Sequence, residues 1–470
     1  MRARPRWLAG CGVAALLTVA VLGWLVEAEA GESALTYFRQ AKINWRLAEG
    51  QKLGVSFPKQ PYTESLLPLV GEFEALTGIK VEYVIFPEND YFSRLAADLA
   101  AQRGEFQVLM TGPTRNWQYA APGWIQPLDD FLKNPRLTDP NWYRLDDFFP
   151  GLVAANRWNG KIGGGAGEGP LYSIPALSET YLLAYRKDLF DQHRIKVPTT
   201  FAEMVAAARA VKDGAGIDGI VARGAPNAST IAGSFISTAK SFADGKWDEI
   251  DADLNPRLHD PIHVQFVEQW IGMIQESGPA RWASMTGSDA REAFASGQAG
   301  MIADADLFAA TYEDARRSKV AGKVGYALIP PGPAGTTYSA LSTWALGMNR
   351  AAKNKEAAWL FIQWATSTRT LQNATLEYRG YNPSRSSVLS SAQVQKVMGQ
   401  WGNGSYLDVL QKNLKTARVA WVPNPERVHL GDIWARALHE VYFKRRSAED
   451  ALKRASAEAE KLFRDVGLKK

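Results

Sequence analysis

Few residues of this chain are spaced for metal or covalent chemistry. His259 and His263 lie four positions apart, a spacing that can place two imidazoles on one helix turn for a metal ion. Pro261 stands between them, however, and no His-Glu-x-x-His pattern occurs, so we interpret both histidines as solvated side chains. The only cysteine is Cys11, and there is no Gly-x-Ser-x-Gly motif. A serine or cysteine nucleophile therefore has no support.

A glycine-rich stretch at residues 160–169, GKIGGGAGEG, has the composition of a phosphate-binding loop. It lacks the Gly-Lys-Ser/Thr ending of a nucleotide loop, and no clear helix pattern follows it. We interpret it as a flexible surface loop.

The remaining candidates are aromatic and carboxylate side chains, which suit the recognition of a sugar. Aromatic rings cover the C–H faces of a sugar, and charged groups bind its hydroxyls in directed hydrogen bonds. The candidates of these types are Trp117, Tyr119, Trp344, Glu179, Asp304 and Asp306. Two alternatives stay open: a tryptophan can simply pack in the core, and two carboxylates could form a glycosidase pair.

Length and composition describe an ordinary folded protein of two domains or two lobes. The chain has 470 residues, of which 46% are hydrophobic and 22% charged, and sixteen are tryptophan. The formal net charge is +5, without a long basic cluster, which gives nucleic-acid binding little support.

The first thirty residues predict a cleaved signal peptide. Arg2, Arg4 and Arg6 precede an apolar run at 12–26, and Ala28-Glu29-Ala30 supplies the small residues of a cleavage site. Cleavage after Ala30 would remove three arginines and two glutamates, which lowers the net charge from +5 to +4, and would also remove Cys11. The alternative is an uncleaved membrane anchor. A lipoprotein box at residues 8–11 precedes the apolar run and is interpreted as chance.

Periodicity predicts alternating strands and helices in the first third of the chain. Strands are expected at 52–57, 79–85 and 106–110, and helices at 63–77 and 90–103, ended by Gly78 and Gly104. This order indicates a mainly parallel sheet.

The rest of the chain also shows a mixture of strand and helix patterns. Thr200 and Glu203 match a capping box for a helix that begins at Phe201. The other expected elements are strands at 181–185 and 219–222 and helices at 262–276, 354–367, 430–442 and 447–465. No short repeat is present, which argues against a solenoid or propeller.

Seven segments, in this order, carry a family resemblance: 123–132, 170–212, 294–303, 325–335, 357–366, 381–386 and 447–452. Together they resemble the solute-binding proteins of bacterial ABC importers, the maltose-binding-protein-like extracellular family 1 for sugars and polyols. Residues 87–89, 178–180, 223–224 and 364–366 are similar to its sorbitol/mannitol-type branch.

The resemblance implies a two-lobed α/β fold, in which each lobe is a mainly parallel sheet flanked by helices. It also implies a hinge of three crossings, near 176–181, 324–331 and 363–370. The lobes would comprise 31–178 plus 330–365, and 179–329 plus 366–470.

The same resemblance implies the ligand contacts. These are Glu88, Thr111, Trp117, Glu179, Arg223, Asp304 and Trp344. The chain departs from the branch after Arg223-Gly224 and at Ile302-Ala303, where aromatic residues are usual, and in the glycine-rich stretch.

The expected function is that of a monomeric periplasmic protein that binds a carbohydrate or polyol and delivers it to an inner-membrane permease. No cofactor, metal, nucleic acid or covalent chemistry is expected. The alternatives are a secreted glycoside hydrolase, and a lobe-closing binder of another solute such as a glycerol phosphate or an oligopeptide.

Overall fold

The computed structural model describes residues 35–231, 233–333, 335–377 and 382–470. The predicted signal peptide with Cys11 lies outside these residues, as does the side chain of Glu88. The strands are β1 (Lys52–Pro58), β2 (Lys80–Phe86), β3 (Val108–Thr111), β4 (Arg157–Trp158), β5 (Ala166–Leu171), β6 (Ser173–Pro175), β7 (Leu177–Ser178), β8 (Tyr181–Arg186), β9 (Met301–Ala305), β10 (Val324–Ala327), β11 (Ala345–Met348) and β12 (Asn382–Pro383).

The helices surround these strands. They are α1 (Pro61–Leu66), α2 (Val70–Thr77), α3 (Glu88–Ala100), α4 (Pro113–Ala120), α5 (Asp129–Lys133), α6 (Pro140–Tyr143), α7 (Pro150–Ala155), α8 (Lys187–His193), α9 (Phe201–Ala215), α10 (Ala228–Ile231), α11 (Ser234–Phe242), α12 (Pro261–Ser277), α13 (Gly287–Ala295), α14 (Ala309–Tyr312), α15 (Lys355–Ala365), α16 (Thr368–Glu377), α17 (Ser386–Leu389), α18 (Ala392–Met398), α19 (Ser405–Thr416), α20 (Arg427–Tyr442) and α21 (Ala448–Asp465).

A five-stranded sheet of order β2-β1-β3-β11-β6 organises one half of the molecule. β1 pairs in parallel with β2 and β3, whereas β11 pairs antiparallel with β3 and β6. Helix α15 packs against β3 and β11. We call this sheet with its helices the first lobe.

A three-stranded sheet of order β10-β8-β9 organises the other half, which we call the second lobe. Both pairings of β8 are antiparallel. The predicted strand at 219–222 is reduced to a single parallel bridge between Val221 and Ile302. Helix α11 packs against β8 and β9, and α19 packs against β10.

The expectation of a mainly parallel sheet is confirmed in the first lobe, where only β11 runs opposite to β1, β2, β3 and β6. It does not hold for the three-stranded sheet of the second lobe, where both pairings are antiparallel, and the chain path gives the reason. β8 and β11 each carry the chain into a lobe directly from the other lobe. Strands that enter a lobe from the side facing the other lobe must run opposite to neighbours that end on that side, as β3, β6, β9 and β10 do. The periodicity of one strand does not report this direction.

The chain passes between the sheets at defined places. It leaves the first sheet after Pro175 and enters the second at Tyr181, and it returns between Ala327 and Ala345. Within the first passage, β7 pairs with β12, so that a later segment of the chain is bound to this passage. These passages form the hinge between the two lobes.

Local sequence signals account for several element boundaries. Thr200 caps α9 by accepting a hydrogen bond from the Glu203 backbone N–H, and Gly78 ends α2 with φ of 70°. The Glu203 carboxylate binds Thr199 rather than Thr200, so the predicted capping box is incomplete. The helix predicted at 63–77 is divided into α1, a 3-10 turn at Leu67–Leu69, and α2. Pro68 has no backbone N–H with which to continue a regular helix.

Most of the tryptophans among the described residues are buried in the core. Eight are fully buried: Trp117, Trp158, Trp247, Trp270, Trp282, Trp359, Trp364 and Trp434. In the second lobe Trp247 stacks on Trp434 with ring centroids 5.6 Å apart. Core packing is therefore the commoner role of tryptophan in this chain.

Candidate functional site

Several strands of the two sheets end or begin where the chain passes between the lobes, and we call the space between these strand ends the crevice. β3 ends at Thr111, paired with Ala345 at the start of β11, and β8 begins at Tyr181. Between these edges, Glu179 and Ser342 exchange two backbone hydrogen bonds of 3.1 and 2.9 Å. Ligands of open α/β sheets bind at such strand ends, so this crevice is the candidate site.

A buried ion pair forms the second-lobe wall of the crevice. Arg223 Nη2 lies 2.5 Å from Asp304 Oδ1, and Nε lies 3.3 Å from Oδ2. The Arg223 and Asp304 side chains are only 13% and 3% exposed. Arg291 Nη1 stands 4.0 Å from the same carboxylate, with its guanidinium over the ring of Phe308. A fixed fork of donors against a carboxylate is a geometry that also suits hydroxyl groups.

A phenol and a second carboxylate extend this wall. The Tyr181 hydroxyl donates a hydrogen bond to Glu179 Oε1. Burial and the Glu179 carboxylate both raise the pKa of Tyr181, so the phenol stays protonated. Burial alone would lower the pKa of Arg223, but Asp304, Tyr181 and Glu179 raise it above its ordinary value. Asp304, Arg223, Tyr181 and Glu179 therefore form one polar network, which keeps the guanidinium charged.

Asp306 lies beside the network at the first passage. Its Oδ1 accepts the Thr180 backbone N–H at 3.1 Å, and its Oδ2 accepts the Thr180 hydroxyl. Burial raises the pKa of Asp306 to about 7, against the opposing effect of these hydrogen bonds, and the nearby Glu179 adds to the rise. Asp306, which directly follows β9, therefore binds Thr180 in the first passage rather than facing outward.

An aromatic stack forms the first-lobe wall. The ring of Trp344 lies 5.8 Å from that of Phe92, with an angle of 20° between their planes. The Arg115 guanidinium covers the Phe92 ring at 4.1 Å. Trp344 is half-buried, unlike the core tryptophans, so part of its ring is available for contact.

The structure brings some of the expected contacts together and separates others. Glu179, Arg223 and Asp304 share the polar network, although they are distant in sequence. Thr111 does not face it, because its hydroxyl donates to Asn116 Oδ1 at 2.9 Å within the first lobe. Trp117 is fully buried, and its Nε1 has no hydrogen-bond partner among the described residues. Glu88 begins α3, one helical turn before Phe92.

Four wall residues were not found by sequence reasoning: Phe92, Arg115, Tyr181 and Arg291. Phe92 has the helical spacing of a core residue, and that spacing cannot show that its ring meets Trp344.

Arg115 lies in a half-buried position near the second lobe. Burial lowers the pKa of Arg115, while the Asp432 carboxylate on α20 of the second lobe raises it. Arg115 lies in the first turn of α4, four residues after the end of β3, and this position is the one local signal that could have marked it.

Only one of the two histidines is solvated as expected, and the other is buried. His259 is exposed, and its Nδ1 lies 2.8 Å from Ser456 Oγ. His263 is buried, with its ring centroid 3.8 Å from that of Trp247. The proline at the start of α12 thus places His263 on the inner face of the helix. Among the described residues, no group of three or more His, Cys, Asp or Glu side chains is arranged to hold a metal ion.

A family comparison decides the class of the protein. The family model of bacterial extracellular solute-binding proteins matches residues 59–371. The chain belongs to this family. As an extracellular solute-binding protein it is a carrier rather than an enzyme, which removes the glycoside hydrolase alternative.

Individual relatives agree with this family. The chain is 32% identical to the erythritol/L-threitol-binding protein of Mycolicibacterium smegmatis, over 93% of this chain and 90% of the relative. It is 27% identical to the mannitol-binding protein of Pseudomonas aeruginosa, over 63% of this chain and 64% of the relative.

A solved structure confirms the two-lobed α/β fold expected for this solute-binding protein. An ABC transporter solute-binding protein from Agrobacterium radiobacter, in complex with ribitol, matches with a TM-score of 0.76. The sequences are 24% identical, and the match covers 88% of this chain and 99% of that one. Within the described residues, none of the helices has the length and apolar character that a membrane span requires.

Proposed function

We propose that this solute-binding protein captures a short polyol or a related sugar in the crevice and delivers it to the permease of an ABC importer. The observation that carries the proposal is the pairing of the two crevice walls. A half-buried aromatic stack lies on one lobe, and a buried network of guanidinium, carboxylate and phenol lies on the other. These walls suit the C–H faces and the hydroxyl edges of one small ligand.

The charge of the second-lobe wall favours a neutral ligand. Arg223 and Arg291 contribute two formal positive charges, and Asp304 and Glu179 contribute two negative ones. A phosphate ester would need an excess of positive donors, as in sites where arginine binds phosphate as a fork. The relatives named for erythritol, threitol and mannitol support the same choice. A glycerol phosphate is therefore the disfavoured ligand.

Capture follows from lobe closure. A ligand that touches both walls stabilises the closed arrangement by its differential affinity for that state, and a permease can recognise the closed shape. We infer that the lobes comprise 31–178 plus 330–365, and 179–329 plus 366–470, and that the protein acts as a monomer. The positions of β8–β10 and β11 in two separate sheets support the assignment of 179–329 and 330–365 to different lobes.

The proposal includes export through the N-terminal segment. Cleavage after Ala30 gives a mature periplasmic protein that begins at Gly31. N-terminal sequencing of exported protein tests this cleavage. An intact Met1 held in membranes, or a lipid-modified Cys11, would contradict it.

Calorimetric titration tests the ligand. The panel is erythritol, L-threitol, ribitol, mannitol, maltose and glycerol 3-phosphate. Saturable binding of at least one neutral polyol, with no binding of glycerol 3-phosphate, is expected. Binding of glycerol 3-phosphate in preference to every neutral member would overturn the charge argument, and absence of binding across the panel would overturn the polyol assignment.

A further inference from the structure

The glycine-rich segment is an ordered hairpin rather than the flexible loop expected from its composition. β4 and β5 pair antiparallel on either side of it. The buried indole of Trp158 donates from Nε1 to the carbonyl oxygens of Lys161, at 3.1 Å, and Gly164, at 3.0 Å. Asn159 accepts the Lys161 backbone N–H and donates to Glu168. These side chains hold the turn between β4 and β5 in one shape.

This hairpin belongs to the first lobe. Its β5 strand ends at Leu171, whose carbonyl accepts the Leu128 N–H at 2.8 Å. Arg157 on β4 forms an ion pair with Asp129 at 2.9 Å, and α7 packs against both strands. The base of the hairpin therefore moves with the five-stranded sheet.

At its tip the hairpin contacts the second lobe through Gly163. The Gly163 backbone N–H donates to the carbonyl oxygen of Pro423 at 2.8 Å. A Cβ atom at Gly163 would lie 1.9 Å from the backbone oxygen of Ala252. This approach is possible only for glycine, because the obstacle is backbone rather than a movable side chain.

Both contacted segments are parts of the second lobe. Ala252 lies in a turn closed by the Ile250–Pro256 bridge, just after Trp247, which packs on Phe235 of α11. Pro423 lies between α19, which packs on β10, and α20, which packs on α12. The hydrogen bond from Gly163 to Pro423 thus joins two bodies that the hinge allows to separate.

We infer that the β4–β5 hairpin is a latch between the lobes, with Gly163 as its contact point. Opening of the crevice must break the Gly163–Pro423 hydrogen bond and withdraw Gly163 from Ala252. The closed state therefore gains stability from a contact made outside the ligand site. The latch prolongs the time for which the protein stays closed, whatever solute it holds.

A matched pair of glycines makes this latch testable. Gly160 and Gly163 lie in the same turn with φ of +84° and +83°. A Cβ at Gly160 meets no atom within 4 Å, whereas a Cβ at Gly163 meets Ala252. Asparagine tolerates left-handed backbone better than other side chains, so Gly163→Asn and Gly160→Asn share their strain and differ only in the obstruction.

The experiment measures the lifetime of the closed state by single-molecule energy transfer. Dyes are attached to cysteines introduced at two exposed residues, Lys133 of the first lobe and Lys323 of the second. The mature chain from Gly31, which lacks Cys11, is measured without ligand and with erythritol. Gly163→Asn should shorten the closed lifetime about 5-fold or more relative to Gly160→Asn, the factor expected for one lost backbone hydrogen bond. Thermal unfolding should give the two variants similar midpoints.

Equal closed lifetimes in the two variants would overturn the latch. Failure of the polyol assignment would look different, because erythritol would then leave all lifetimes unchanged while the ligand-free variants still differed. A large loss of melting temperature in Gly163→Asn alone would assign Gly163 to folding instead, and would also overturn the proposal.

Discussion

Arg223 and Asp304 meet through two contacts, one from Nη2 and one from Nε, and this pair occupies the second-lobe wall of the crevice. Both groups are withdrawn from water, so neither has an inexpensive alternative partner. The pair therefore presents its remaining donors and acceptors in one fixed direction, which is what selection among small hydroxylated ligands requires.

Asp304→Asn should weaken polyol binding about 10- to 100-fold. The change keeps the shape of the side chain but removes the charge that strengthens its hydrogen bonds, which are worth about 1.5–3 kcal/mol when charge-assisted. Calorimetric titration with the polyol that the wild type binds measures the loss. Asp408→Asn is the control, since Asp408 pairs with Lys412 on an exposed helix face. Equal affinity in the wild type and Asp304→Asn would remove Asp304 from the site.

Trp344→Ala should lower binding affinity with little effect on folding. Loss of the half-buried platform should cost about 1–3 kcal/mol of binding free energy. Trp247→Ala is the matched contrast, because that ring is fully buried and its removal should cost about 3–5 kcal/mol of unfolding free energy. Titration and thermal unfolding are both measured. Unchanged binding with a large fall in melting temperature for Trp344→Ala would make Trp344 a core residue.

Asp306 should make the folded state more stable as the pH falls. Its pKa is raised to about 7 by burial, above its ordinary value, so the folded protein holds this proton more tightly than the unfolded chain. Its contribution to the free energy of unfolding therefore grows as the pH falls from above 7 towards the unfolded value, with a limiting slope of about 1.4 kcal/mol per pH unit. Urea unfolding of wild type and Asp306→Asn from pH 8 to 5 measures the difference. Two parallel pH profiles would refute the prediction.

His263 should act in the opposite direction. Burial lowers its pKa to about 4, so the unfolded chain binds this proton more readily than the folded protein between about pH 6.5 and 4. Stability is therefore lost as the pH falls through that range. The stability advantage of wild type over His263→Gln should shrink from pH 7 to 4.5, as measured by urea unfolding across that range. An advantage that stays constant would mean that His263 does not titrate differently on folding.

Elements with strong local signals could be predicted from the sequence. Alternation predicted the positions of β1 and β2, and the Thr200 cap predicted that α9 begins at Phe201. These features depend on neighbours within a few positions, and the chain carries that information directly. The antiparallel course of β8 and β11 depends on where the chain has come from, which no local pattern records.

The candidate site was predictable only in part for the same reason. Glu179, Arg223 and Asp304 were expected from motifs, and the structure brings them into one network. The Phe92–Trp344 stack joins residues on α3 and next to β11, more than two hundred positions apart. Thr111 has a suitable type and position, but its hydroxyl is already used by Asn116. Partner choice among distant residues is set by packing, not by residue type.

The double backbone hydrogen bond between Glu179 and Ser342 constrains how the lobes can rotate. It joins two passages of the chain between the lobes. A rotation that opens the crevice therefore has its axis close to Glu179 and Ser342. Atoms near a rotation axis travel little, and the Glu179 side chain with its Tyr181 partner should keep its place in the open form. An arriving solute would then meet one part of its binding surface already assembled, and only the more distant walls would have to come to it.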